Sequence, residues 1–191
     1  MTPRTEHRSL PREGERECGD IALTRVAEGI TLVAVVDALG HGPLAAAAAR
    51  IAADHLLAAP LERGLLPLVE GLHAALKGSR GAAAMIVLLA SDGGLQGCGV
   101  GNVELRALGS RVPSVLTPGV LGASINRLRT FEARVTVGDR LVIFSDGLCS
   151  RMELSRLRGL TSGQACDALM ALYRRSHDDA TVLVTDIEAR E

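Results

Sequence analysis

Apolar positions recur along the chain with two different periods, and the switches between them outline a fold. Residues 21–26 and 30–36 are apolar runs of strand length on either side of Glu28-Gly29, which predicts a hairpin with glycine supplying the positive φ of a tight turn. Gly42-Pro43 opens an alanine-rich stretch that Pro60 stops, the pattern of a helix with proline in its first turn. Leu65, Leu68, Val69, Leu72, Ala75 and Leu76 then share one face at 3.6-residue spacing, a second helix with Gly78 as its end signal. Strand-length runs return at 83–90, 95–100, 103–108, 131–135 and 140–144, with alternation over 131–135 marking a sheet with one wet face. The stretch 109–126, with Pro113, Pro118, Gly119 and Gly122, is the least regular. Thr161 and Gln164 form a capping box for a third helix carrying Ala165, Leu169, Leu172 and Tyr173 on one face, and 181–185 reads as a last strand.

Successive hairpins with a helix pair between them speak against a βαβ winding. They predict an α+β fold: a four-layer α-β-β-α sandwich, two antiparallel sheets face to face with helices outside. Residues 1–17, dense in Arg and Glu, read as a charged lead-in to a single domain over 18–191.

Composition narrows the function classes. A formal net charge of -1 excludes a broad phosphate-clamping surface, and with only Phe131, Phe144 and Tyr173 as aromatics there is no base-stacking platform; nucleic acid is not an expected partner. The longest apolar stretch, 44–59, is broken by Arg50, Asp54 and His55 and is too short to span a bilayer. Cys18, Cys98, Cys149 and Cys166 form no CxxC, so neither a thiolate zinc site nor a redox pair is supported, and buried free thiols are expected. The expectation is a soluble, cytoplasmic protein.

The chemistry-bearing pattern is the placement of aspartates. Asp37 ends one apolar strand and opens Asp37-Ala-Leu-Gly-His-Gly42; Asp146 ends another in Ser145-Asp146-Gly147; Asp178 and Asp179 precede the last strand; Asp20 precedes the first in Cys18-Gly19-Asp20. Taken singly, each is as well explained by a turn or cap, as Asp92-Gly93 and Gly138-Asp139 are. Taken together, four strand ends that pairing could gather would crowd carboxylates, which raises their pKa values unless a cation sits among them. Oxygen-only ligands favour magnesium or manganese over zinc, and two such ions can activate a bridging water against a phosphoryl group. Spacing alone leaves both readings open.

At these residues the sequence resembles the metal-dependent serine/threonine protein phosphatases of the PPM class (type 2C), and among them the bacterial SpoIIE/RsbU/RsbX-like subgroup. The signposts run in order from about Cys18 to Ile187: Gly19-Asp20, the 36–42 segment, Gly81-Ala-Ala-Ala-Met-Ile-Val87, Gly99-Val-Gly-Asn102, the 138–147 segment, and His177-Asp-Asp-Ala-Thr181. Short length and the lack of sensor or membrane modules place it nearest the subgroup's stressosome feedback phosphatases. The resemblance implies two divalent ions, Mn2+ or Mg2+: Asp37 bridging both, Asp146 and Asp178 completing one site, Asp20 and the Ala38 carbonyl serving the other, and Asp179 supporting the centre. It implies in-line attack by a hydroxide shared between the ions, with His41 placed to protonate the leaving oxygen, although a histidine merely packed on its loop fits as well. His177 would lie behind a ligand, Asn102 stands where many relatives hold a third ion, and Arg16 is a candidate phosphate-binding arginine. Phosphorylated STAS-domain stressosome proteins (RsbS/RsbR-like) are the implied substrates.

Two rivals belong to other classes. A catalytically silent module of the same fold would bind a phosphorylated partner, but every expected metal aspartate is present. A nucleotide-binding oxidoreductase would need GxGxxG, and Asn102 stands where the third glycine of 97–102 belongs. No GxSxG is present for a serine hydrolase.

Overall fold

The structure is a computed structural model and describes residues 1–190. Strands β2 (Asp20–Ala27) and β3 (Ile30–Ala38) form the expected hairpin, in register from Ala27↔Ile30 to Asp20↔Asp37. Glu28 and Gly29 both take positive φ, the two-residue turn whose twist matches its strands. Helix α1 (Gly42–Ala58) follows, then a single 3-10 turn and α2 (Leu65–Ala75). After these come β4 (Ala82–Ala90), β5 (Gly94–Val100), β6 (Glu104–Leu108), β7 (Leu116–Thr117), β8 (Thr130–Arg134) and β9 (Arg140–Phe144). Helix α3 (Ser162–Tyr173) begins with the Thr161–Gln164 capping box formed in both directions, and β10 (Ala180–Glu188) follows it.

One sheet runs β1 (Thr2–Leu10), β10, β9, β6 and the other β2-β3-β4-β5, with β7 and β8 sharing the outer edge of β5. Three apolar layers confirm the sandwich. Val33, Val35, Met85 and Val87 meet Leu141, Ile143 and Leu183 between the sheets. The opposite face of β3, with Leu32, Ala34 and Val36, packs on α1 and α2 through Ala45, Ala48, Ala52, Leu56 and Leu72. The outer face of β9 and β10 packs Val142, Phe144, Val182 and Val184 under α3. Strict alternation along β3 therefore feeds two cores at once, so a slip of one residue would exchange them.

Two features depart from the sequence reading. Composition alone makes residues 1–17 a charged lead-in, yet Thr2–Leu10 form β1, an edge strand paired with β10 over its whole length. Its alternating charge is that of an edge strand with one face to water, and charge on an edge discourages pairing with other chains. The sheets are also not wholly antiparallel. In the irregular 109–126 stretch, β7 adds two residues parallel to β5, at Gly99↔Leu116 and Val100↔Thr117. Among the described residues no helix is long and apolar enough to cross a membrane.

Candidate metal centre

Strand pairing places the aspartates. Asp20 and Asp37 are direct cross-strand partners at the open end of the β2–β3 hairpin. Asp146 lies just beyond the end of β9, and Asp178 and Asp179 just before β10, on the neighbouring sheet. The ends of both sheets thus bring four sequence-distant segments to one place.

Glycines make the approach possible. A Cβ on Gly19 would lie 2.6 Å from the Ala45 Cβ of α1 and 2.9 Å from Asp179 Oδ2, so Gly19 lets the start of β2 press against both. A Cβ on Gly147 would collide with the backbone carbonyl of Asp179, so Gly147 is what lets the Asp146 turn reach the Asp178-Asp179 segment. The small residues beside the aspartates thus serve close chain packing.

Hydrogen bonds then aim the carboxylates. Ser145, fully buried, donates from Oγ to Asp20 Oδ2 at 2.6 Å and accepts the Thr181 N–H at 2.9 Å, locking β2 to the β9–β10 pair. Asn102 Nδ2 donates to Asp146 Oδ2 at 2.6 Å. Arg175 Nη1 reaches the Asp146 carbonyl at 3.2 Å. The Ala38 N–H donates to the Gly19 carbonyl at 3.0 Å and the Leu39 N–H to the Gly81 carbonyl, which fixes the peptide after Asp37. Asp178 Oδ1 accepts the Asp179 N–H at 3.0 Å.

Asp179 behaves differently from its neighbours. Its Oδ1 accepts the Arg12 N–H and its Oδ2 the Gly19 N–H, each at 2.7 Å, and the residue is buried. Both oxygens brace the backbone, which favours a supporting role over direct ligation. His41 occupies the N-cap position of α1 without a side-chain cap bond, exposed, with Nδ1 2.7 Å from Glu15 Oε1. His177 and Arg16 are exposed, and neither has a hydrogen-bond partner among the described residues. Cys98 and Cys166 are buried as expected, but Cys18 and Cys149 are partly exposed.

The electrostatics of the cluster follow from crowding. Burial, then the charges of Asp20, Asp146 and Asp178, push Asp37 up to about 9. Burial pushes Asp20 up to about 7 despite the Ser145 hydrogen bond, with the Asp179 charge adding to the rise. Asp146 is raised by burial and by Asp178, although the hydrogen bond it shares with Asp37 and the nearby Arg175 work the other way. Among the described residues no three acidic, imidazole or thiol side chains already close round one point that could hold an ion. The donor set nevertheless fits a hard divalent cation: it is all oxygen, it is held from behind by Ser145 and Asn102, and it carries more carboxylate than it can ionise alone.

The sequence reading missed Ser145, Glu15 and the use of Asn102. Ser145 stood in the Ser-Asp-Gly motif itself, but only the pairing of β9 with β10 shows that its hydroxyl serves Asp20. A cleft of about 440 Å³ lies at the far end of β9 and β10, lined by Gly109, Asp139, Arg140 and Asp186.

No protein-family model matches the chain. The phosphoserine phosphatase RsbX of Bacillus subtilis (strain 168) is 26% identical over 180 residues, covering 92% of this chain and 90% of that protein. A solved structure from work on the bacterial stressosome, a modular system adapted to control secondary messenger signalling, aligns with a TM-score of 0.90 at 31% identity, over 97% of this chain and all of that one. RsbX in complex with magnesium aligns with a TM-score of 0.82 at 25% identity, over 97% of this chain and 96% of that one.

Proposed function

The chain belongs to the PPM-class (type 2C) protein phosphatases, among the RsbX-like members, and from that premise we propose that it hydrolyses phosphoserine or phosphothreonine on stressosome-type regulators with two bound Mn2+ or Mg2+ ions. The observation that carries this reading is the crowding of Asp20, Asp37 and Asp146 at one end of the paired sheets, with the first two pushed up to about 7 and about 9. A carboxylate cluster raised this far is a divalent-cation site in waiting.

Asp37 would stand between the two ions, Asp146 and Asp178 would complete one site, and Asp20 with the Ala38 carbonyl would complete the other. When bound, the ions supply an acidified water and neutralise the phosphoryl oxygens under attack. Ser145 and Asn102 hold Asp20 and Asp146 in fixed rotamers, so little reorganisation is needed on loading. Asp179 ties the 11–19 segment to the site. His41 delivers a proton to the leaving serine or threonine oxygen. The RsbX likeness supports phosphorylated STAS-domain stressosome proteins as substrates.

The test is phosphate release from a phosphorylated RsbS- or RsbR-like STAS protein in Mn2+ or Mg2+, with and without chelator. Release that chelator abolishes is the expected result. Activity on p-nitrophenyl phosphate but none on any STAS phosphoprotein would overturn the substrate assignment, and inactivity on both would overturn the phosphatase reading.

A further inference from the structure

Glu15 lies in the segment that joins β1 to β2, and that segment is fastened along its length. Arg174 Nη2 donates to the Pro11 carbonyl at 2.7 Å, Asp179 takes the Arg12 N–H, and the Glu13 N–H donates to the Ser176 carbonyl at 2.9 Å. A turn follows, with the Glu15 N–H donating to the Arg12 carbonyl at 3.0 Å and Gly14 at φ +89° in its third position. Further on, Glu17 pairs with Arg50 of α1 at 3.1 Å and Gly19 donates to Asp179. The segment therefore presents Glu15 to the start of α1 from a backbone pinned on both sides.

There the Glu15 carboxylate meets two things. Its Oε1 is 2.7 Å from His41 Nδ1. Its oxygens also lie 3.0–3.2 Å from where a Cβ on Gly42 would stand, and Gly42 holds φ +71°. A side chain at 42 would be strained and would push the carboxylate away, so the pairing depends on glycine at that position. An ionised carboxylate only accepts, so Nδ1 carries the proton of this bond. Among the described residues Nε2 has no hydrogen-bond partner. His41 is three residues beyond Ala38, whose peptide is fixed beside Asp37, and the chain can span no more than about 10 Å in that distance.

We infer that Glu15 is a positioning residue that holds the His41 ring by Nδ1–H, so that in the doubly protonated imidazolium the Nε2 proton is the one free to pass to the leaving oxygen of a phosphoserine or phosphothreonine. This rests on the phosphatase reading and assigns it a residue from the charged segment ahead of the first motif. In the step, water-derived hydroxide bonds to phosphorus and the bond from phosphorus to the seryl oxygen breaks. The electron pair leaves with that oxygen, which takes the Nε2 proton of the imidazolium and leaves the ring as the neutral Nδ1–H tautomer, and the proton lost by the water restores the imidazolium through solvent. The pairing is exposed on both sides, the side chains being 42% and 30% accessible, so it contributes little to folding. A fixed tautomer and ring orientation is what it offers instead.

The experiment compares wild type, Glu15→Ala, Glu15→Gln, His41→Ala and the Glu15→Ala/His41→Ala double variant on a phosphoserine peptide and on p-nitrophenyl phosphate, whose leaving group needs no proton. Glu15→Ala should lower the ratio of peptide to p-nitrophenyl phosphate turnover by about tenfold, at the low end of general acid effects. Glu15→Gln should recover part of it, and the double variant should be no worse than His41→Ala. On the metal-free protein, 15N shifts of His41 should report the Nδ1–H form in wild type and its loss in Glu15→Ala. An active wild type with an unchanged ratio in Glu15→Ala, or an unchanged His41 tautomer, overturns the inference alone. A wild type inactive on both substrates with either ion overturns the phosphatase reading and this inference with it.

Discussion

Strands β9 and β10 carry acidic residues at both ends, roughly 20 Å apart, and the protein treats the two ends in opposite ways. At the far end Asp186 sits opposite Arg140, which binds it bidentately (the second contact at 2.9 Å) and also reaches the Leu157 and Leu160 carbonyls. Beside it, Asp139 accepts the Thr136 N–H at 2.7 Å and the Ser110 N–H at 2.9 Å, and burial notwithstanding, these bonds hold it below the ordinary carboxylate range. At the near end Asp20, Asp37 and Asp146 are answered by a serine hydroxyl, an amide and one another, and all three are raised. The far end balances its carboxylates with an arginine and backbone N–H groups, while the near end sets carboxylates against one another. A cleft of about 440 Å³ lies at the far end, so what sets the near end apart is its uncompensated carboxylate charge.

The comparison can be broken most severely at Asp37. Asp37→Asn should cost on the order of a thousandfold or more in Mn2+-dependent hydrolysis of p-nitrophenyl phosphate, with an unchanged circular dichroism spectrum. Near-normal turnover in saturating Mn2+ would show that the near end is not the centre. The counterpart at the far end is Arg140→Ala, which strands Asp186 in a largely buried place. It should lower stability by about 3 kcal/mol in denaturant titration while activity per folded molecule persists. A loss of activity larger than the loss of folded protein would mean that the two ends are coupled.

His41→Ala is expected to be milder, lowering phosphoserine-peptide turnover by about tenfold to a hundredfold. A loss on the Asp37 scale would give the imidazole an indispensable role. The smallest effect concerns pH. Because Asp20 and Asp37 have folded values raised above the unfolded 3.8, they bind protons that the unfolded chain has released. Their contribution to the metal-free protein is full below about pH 3.8 and drains away as pH rises through about 7 and about 9. Asp139, held low, contributes in the opposite sense: fully above the ordinary value, and lost as acid protonates it. The thermal midpoint of metal-free protein should therefore fall by a few degrees between pH 5 and 9, and Mn2+ should flatten or reverse that slope. A midpoint that climbs with pH in the absence of ions would contradict the crowding of the near end.

What could be read directly from residues were the elements with strong local signals. The apolar run over residues 30–36, the Glu28-Gly29 turn, Pro43 in the first turn of α1 and the Thr161–Gln164 capping box each depend on neighbours within a few positions, and each stands where the pattern placed it. Strand β1 escaped because its stabilisation comes from β10, some 170 residues away, while its own composition is that of a solvated segment. The two-residue β7 escaped because no period fits into two positions.

The sequence by itself determined the alternating apolar runs, the acidic residue closing each of several strands, and the glycines that leave room beside them, since these follow from side-chain size, period and backbone freedom. Only the tertiary structure decided which carboxylates meet. Cross-strand register sets Asp20 against Asp37, sheet-on-sheet packing brings Asp146 to them, and Asp179 is turned to bind backbone N–H groups where its sequence neighbour Asp178 faces the cluster. The physical reason is that charge repulsion depends on separation in space, and a linear spacing of 17 or 109 residues carries no such distance until the sheets have formed.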